Sequence, residues 1–303
     1  MLLLLPVIVL AVSMEYMLRH IPNEYVYKKN YLDKHSGEIQ ILILGSSETY
    51  YGINPDYFSQ NTFNAANVSQ TLDMSFGIFN KYRDNFNDLK IIILPIIYHT
   101  LWTKLESSDE AWRLKNYAIY YGIDTKSLRY NSELLNGKLG INIQRLYNHY
   151  LEKKNEIYCS ELGWGTSYKS GNIDNLEETG KDRALHHTYN IHSKEKMDVF
   201  TENLGILDSL AAFCNRKNVE LIFITTPAYY TYRENQNREQ LDKMTGVIAN
   251  FTKKYANCRY LNWHENPDFV AEDFHDADHL DEKGTTKLSE KLAQYIDSLK
   301  IRM

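Results

Sequence analysis

Two short patterns near opposite ends of the 303-residue chain carry the residue types that acyl-group chemistry needs. Gly45-Ser46-Ser47-Glu48-Thr49 follows directly on the apolar run Ile39–Leu44, and Asp276-Ala277-Asp278-His279-Leu280 precedes a helical pattern at the C-terminal end. A serine hydroxyl is a weak nucleophile until a neighbouring base takes its proton. An Asp three residues before a His can return through a turn onto the imidazole, fix its tautomer and stabilise the imidazolium. Ser47 is therefore the candidate nucleophile, His279 its base and Asp276 the carboxylate that orients the base. Each pattern also has a plain reading. Gly-Ser-Ser after a strand makes a turn and a helix N-cap, and an acidic stretch before a helix complements the helix dipole. His275, beside Asp276, competes with His279 for the role of base.

The elements that must hold these groups are legible as runs of β-branched residues and Leu. Ile39–Leu44, Leu89–Leu94 and Val219–Ile224 are near-continuous apolar runs, as expected of strands buried on both faces of a parallel sheet. A shorter strand is expected at Arg259–Asn262. Helical periodicity fills Met197–Asn215, Gln240–Ala256 and about Glu282–Lys300, the last with Leu288, Leu292, Tyr295 and Leu299 on one face. Strand and helix alternate, which predicts a three-layer, doubly wound (flavodoxin-like) α/β sheet. In such sheets ligands bind beyond the carboxyl ends of the strands, where Ser47 would stand.

The α/β pattern is expected over 38–303, interrupted by an insertion at about 98–195 that lacks a strong apolar strand. The insertion is read as a mainly helical, aromatic-rich subdomain. Nine Tyr and three Trp, including Tyr98, Trp102 and Trp164, fall between Tyr98 and Tyr168. Such rings either pack a small subdomain with little aliphatic core or form a platform for sugar rings beside Ser47.

Other chemistries find less support. A formal net charge of -5 gives no basic excess for a nucleic acid. No Gly-rich phosphate loop occurs, so no nucleotide cofactor is expected. Cys159, Cys214 and Cys258 form no CxxC pair, and His186, His187, His192 and Asp182 have no metal-ligand spacing. Gly-x-Ser-x-Gly, the nucleophile elbow of α/β-hydrolases, is missed by Thr49, and Ser47 follows the first strand rather than a later one.

The GSSE segment after the first strand, with Asp276-x-x-His279-Leu280 before the last helix, resembles the SGNH/GDSL hydrolase superfamily. The GSSE form looks like its extracytoplasmic branch of D-alanyl-lipoteichoic acid and alginate O-acetylation proteins. The resemblance implies the SGNH type of sheet, an acyl-enzyme on Ser47, His279 as base and Asp276 as its orienter. Phe63-Asn64-Ala65-Ala66-Asn67 looks like the second family block, with Ala66 in place of the glycine whose N–H joins the oxyanion hole. The third block, commonly Gly-x-Asn-Asp, is replaced by Leu94-Pro95-Ile96-Ile97-Tyr98, leaving Asn67 or the Tyr98 hydroxyl as substitute donors. The implied activity is esterase or O-acyltransferase on O-acyl groups, chiefly O-acetyl, of a surface or exported polysaccharide, with a membrane-bound O-acyltransferase as a partner. A non-catalytic glycan-binding or assembly protein on the same scaffold is the alternative.

Residues 1–18 open with Leu2–Val12 and reach no charge until Glu15. They read as a membrane anchor or signal segment, placing the remainder on the extracytoplasmic side. The run is marginal against the ~20 residues that span a bilayer, and it lacks the basic start of a cleaved signal. A buried N-terminal element is the plain alternative. Residues 19–37, polar and rich in Tyr and Lys, are expected to be a tether.

Overall fold

The computed structural model describes residues 4–170 and 175–299, and the chain divides into two compact units. One contains residues 35–104 and everything from 159 onward, and the other contains the N-terminal residues to 34 with 105–158.

The larger unit is built on five parallel strands, β1 (Ile41–Ile43), β2 (Thr62–Asn64), β3 (Ile91–Pro95), β4 (Glu220–Thr225) and β5 (Cys258–Asn262). Their order, β2-β1-β3-β4-β5, is the doubly wound flavodoxin-like order. Alternate side chains serve opposite faces. Ile41, Ile43, Ile91, Ile93, Ile222 and Ile224 join Leu288, Leu292 and Ile296 of helix Glu282–Ser298 in one core cluster. Phe223, between two of these, meets Phe251 of helix Arg238–Lys254 on the other side. Helix Lys194–Lys217 packs on helix Leu72–Tyr82. Because both faces are covered, the central strands β1 and β3 are apolar throughout and β4 is apolar from Leu221 to Ile224, as expected for a parallel sheet.

Beyond the sheet, β6 (Phe274–Asp276) and β7 (His279–Leu280) form a small antiparallel hairpin. Its turn is Ala277-Asp278, which sets Asp276 directly opposite His279. Asp281 then caps helix Glu282–Ser298, accepting from the N–H groups of Lys283 and Gly284.

The smaller unit differs from expectation. Residues 19–37 are not a tether, because helix Glu24–His35 buries Tyr25, Lys28 and Leu32, and Asn23 caps it by accepting from Val26 N–H. The inserted part of this unit is 105–158 rather than 98–195, since 98–104 and 159–195 belong with the sheet. It is mostly short helical turns, as expected, with two π-helical turns at Tyr117–Tyr121 and Tyr147–Leu151. Residues 4–19 form a helix whose Leu5, Val7, Ile8, Val9, Leu10 and Val12 are exposed. Among the described residues no helix is long and apolar enough to cross a membrane.

Candidate active site

The site is assembled at the carboxyl end of β1. Gly45 bridges strand and helix with φ +120, and a Cβ there would stand 2.1 Å from Pro95 Cγ. Only glycine lets the chain turn this tightly against the end of β3. Ser46 is the N-cap and Ser47 the first residue of helix Ser47–Gly52, fixed from below by the Thr49 hydroxyl, which donates to the Leu44 carbonyl at 3.0 Å. The N–H groups of Ser47 and Glu48 lie in the first turn, where an α-helix offers no internal acceptor.

Ser47 Oγ lies 2.8 Å from His279 Nε2. The other ring nitrogen, Nδ1, is 2.8 and 3.0 Å from the two oxygens of Asp276. Asp276 Oδ1 also accepts from the backbone N–H groups of Asp278 and His279, so its carboxylate is fixed by the turn that presents the imidazole. The three sequence candidates Ser47, His279 and Asp276 are therefore brought into one hydrogen-bonded line. His275 is not part of it, because its ring stacks on Tyr168 at 3.8 Å.

Three charged groups that the motif reading left without a role complete the surroundings. Asp278 lies 3.4 Å from His279 Nδ1 and pairs with Arg183. Glu48, also buried, accepts from the hydroxyls of Ser46 and, at 3.5 Å, Ser47, with its other oxygen 4.0 Å from His279 Nε2. Burial works against the His279 imidazolium, but Asp276 and Asp278 outweigh it and hold the ring well above the usual His range. Burial would raise Asp278, yet His279 and Arg183 pull it well below the usual carboxylate range. Asp278 was visible as a second acid in its motif, and Glu48 as the neighbour of Ser47. Arg183 stands in a stretch with no motif and gave no signal.

Glu48, Asp278 and His279 also form the one metal-ligand type of group among the described residues. It fits an ion poorly, since both His279 nitrogens and the Asp278 carboxylate are already engaged within the protein. His187, buried, has Nδ1 2.8 Å from the Tyr232 hydroxyl, and its ring is 4.0 Å from that of His99. Burial pushes His187 well below its usual range. The exposed His192 meets Glu239 instead.

The oxyanion and sugar-binding candidates are placed differently from expectation. Ala66 N–H donates to Asn64 Oδ1 at 3.0 Å, which ties up the donor in a local turn. Asn67 is fully buried, with Nδ2 donating to Gln70 Oε1 at 2.8 Å. The Tyr98 hydroxyl is held between Thr188 Oγ1 and Asn237 N–H, both at 2.7 Å. Trp102 is fully buried and stacks on Phe200, so it is a core residue and not a platform. Trp164, half-buried, donates its indole N–H to the Tyr51 carbonyl at 2.7 Å. The rings that do border His279 are Tyr51 and Tyr168, stacked on each other at 3.8 Å and each set edge-on to the imidazole.

The sheet topology, the strand-to-helix serine and the hairpin histidine are thus seen together in one unit. Comparison with solved structures gives distant likenesses. A Bacteroides fragilis protein provisionally described as an acylhydrolase matches with a TM-score of 0.40 and 11% identity, over 90% of this chain and 96% of its own. A Streptococcus pneumoniae protein, provisionally described as a platelet activating factor, gives 0.42 and 10% over 97% and 98%. A GDSL-like lipase from Bacteroides thetaiotaomicron gives 0.40 and 11% over 91% and 99%. No family model and no curated protein matches the chain.

Proposed function

We propose that this protein is an SGNH-type serine enzyme that moves O-acyl groups, as an esterase or O-acyltransferase. The observation that carries the reading is the 2.8 Å separation of Ser47 Oγ and His279 Nε2, with Asp276 on the opposite ring nitrogen. In the base form of His279, Nε2 takes the Ser47 proton as Oγ bonds to the ester carbonyl carbon. Collapse of the tetrahedral adduct breaks the bond to the alcohol, which leaves with the proton from Nε2. Water or a sugar hydroxyl then gives its proton to Nε2, attacks the acyl-enzyme and releases Ser47, which recovers the proton. Helix-terminal N–H groups of Ser47 and Glu48 are the donors suited to the oxyanion.

The finer reading is an enzyme anchored through residues 1–18 on the extracytoplasmic side, acting on O-acetyl groups of a surface or exported polysaccharide with a membrane-bound O-acyltransferase as donor partner. It rests on the GSSE motif and on the apolar N-terminal helix. A non-catalytic glycan-binding role has one observation in its favour, the Ala66 N–H already taken by Asn64.

A fluorophosphonate probe and p-nitrophenyl acetate test the proposal. Covalent labelling and an acetyl-enzyme burst are expected in the wild type and in Ser46→Ala, and neither in Ser47→Ala. A wild type that shows neither signal fails as an enzyme. With an oligosaccharide acceptor present, acetylated sugar marks a transferase, and free acetate alone at every acceptor concentration marks a hydrolase.

A further inference from the structure

In the smaller unit, helix Leu139–Leu146 and the π turn Tyr147–Leu151 that continues it are amphipathic in the wrong sense for an ordinary surface helix. Such a helix normally buries its apolar stripe and shows polar groups to water. Here Asn142 and Arg145 face inward. Asn142 is 1% exposed and donates to the Glu133 carbonyl, and Arg145 donates to Glu133 and to both oxygens of Glu156. Glu133, wholly buried, accepts from Lys115 at the same oxygen and from the Tyr120 hydroxyl at the other.

The outward stripe is Leu139, Ile143, Tyr147 and Leu151, exposed by 61, 52, 48 and 70%. Residues spaced by four drift round an α-helix by about 40° per step, and the wider π turn at the end takes back part of that drift. The four therefore share one side. Leu135, 73% exposed, precedes them. An apolar face of this kind on an isolated chain marks an interaction site.

Two observations name its occupant. The exposed apolar helix Leu4–Arg19 packs against the same segment: Glu15 accepts from Ser132 Oγ and from the N–H groups of Glu133 and Leu134, and Tyr150 donates to the Met17 carbonyl. The second observation is charge. Between Asp124 and Glu156 the chain has six Lys or Arg against one Asp and three Glu, a small basic excess within a protein of net charge -5. Lys138 stands at one end of the stripe, with Lys153 and Lys154 at the other. An apolar stripe flanked by Lys is the pattern of a helix lying in the interface of an anionic bilayer.

We propose that Leu135, Leu139, Ile143, Tyr147 and Leu151 form a membrane-contact surface that seats this unit on anionic lipid. This contact is additional to the anchor read from residues 1–18; it draws on the exposed apolar side chains of helix Leu4–Arg19 and not on that helix crossing the bilayer.

Carbene footprinting of the full chain, with and without phosphatidylcholine vesicles that do or do not contain phosphatidylglycerol, tests the proposal. The expected result is loss of labelling over Leu139–Leu151 on the anionic vesicles. In Leu139→Ser/Ile143→Ser/Leu151→Ser, all at exposed sites and with folding checked by circular dichroism, Tyr147 is expected to stay labelled on the same vesicles. In Lys153→Glu/Lys154→Glu the preference for phosphatidylglycerol is expected to vanish. Shielding of Leu4–Arg19 alone overturns the proposal and leaves the anchor standing. Shielding of Leu139–Leu151 alone supports it and removes the anchor. No shielding of either segment overturns both.

Discussion

Asp278 stands 3.4 Å from Nδ1 of His279, the same nitrogen that Asp276 holds at 2.8 Å. Two carboxylates thus share one imidazole, and together they hold it protonated well above the usual His range. An imidazolium cannot accept the Ser47 proton. The acid limb of kcat/KM is therefore expected above the ordinary imidazole pKa, with activity rising as His279 loses its proton. In Asp278→Asn the limb is expected to move down towards neutrality, while kcat at alkaline pH is largely kept. A pH profile of ester hydrolysis that is identical in the two proteins rejects this role for Asp278.

The same shifts make stability depend on pH. His279 has a raised pKa in the folded protein, so its stabilisation is complete below the ordinary imidazole value and is lost as pH rises through the folded one. Asp278 has a depressed pKa, so its contribution is present above the ordinary carboxylate value and fades as pH falls through the folded one. The urea midpoint is expected to decline on the alkaline side in the wild type, and less steeply in His279→Gln.

Asp276 is the closer carboxylate and is fixed by two backbone N–H groups. In Asp276→Asn the imidazole loses the acceptor that selects its tautomer, and kcat is expected to fall by about 10³–10⁴-fold with KM little changed. Steady-state kinetics with an activated ester, at the pH optimum of each protein, gives the ratio.

These groups were unequally legible in the sequence. Ser47, Asp276 and His279 could be read because strand-turn-helix and Asp-x-x-His are local patterns, and Ile41–Ile43, Ile91–Pro95 and Glu220–Thr225 because strands buried on two faces are apolar over most of their length. β2, at Thr62–Asn64, is too short for any periodicity to mark it. Helix Glu24–His35 was hidden because much of what it buries, Tyr25 and Lys28, is amphipathic or charged. Arg183 reaches Asp278 only through the fold. An aromatic side chain is equally suited to a core or to a sugar platform, so composition could not assign Trp102 or Tyr98, which tertiary packing places inside.

Trp102 and Trp164 are expected to separate by experiment. Trp102→Ala removes a fully buried ring stacked on Phe200, and the expected loss is about 3–5 kcal/mol of stability. Trp164→Ala removes one hydrogen bond to the Tyr51 carbonyl, worth about 1 kcal/mol. Since Tyr51 borders His279, this second variant is expected to alter kcat more than stability. Urea unfolding and ester kinetics on both proteins read the difference.

Gly45 sets where Ser47 points, and two separate penalties guard it. Its φ of +120 is strained for any residue with a Cβ, and that Cβ would meet Pro95 Cγ at 2.1 Å and Thr49 Oγ1 at 2.7 Å. Gly45→Ala is expected to lose about 3 kcal/mol or more, and with it the alignment of Ser47 on His279. Replacing Pro95 as well removes the Pro95 clash but neither the Thr49 Oγ1 contact nor the torsional penalty. The double variant Gly45→Ala/Pro95→Ala is therefore expected to fold more stably than Gly45→Ala while remaining below Pro95→Ala. Equal stability of the double variant and Pro95→Ala would leave the Pro95 clash as the whole penalty, and the backbone conformation and the Thr49 contact as none of it.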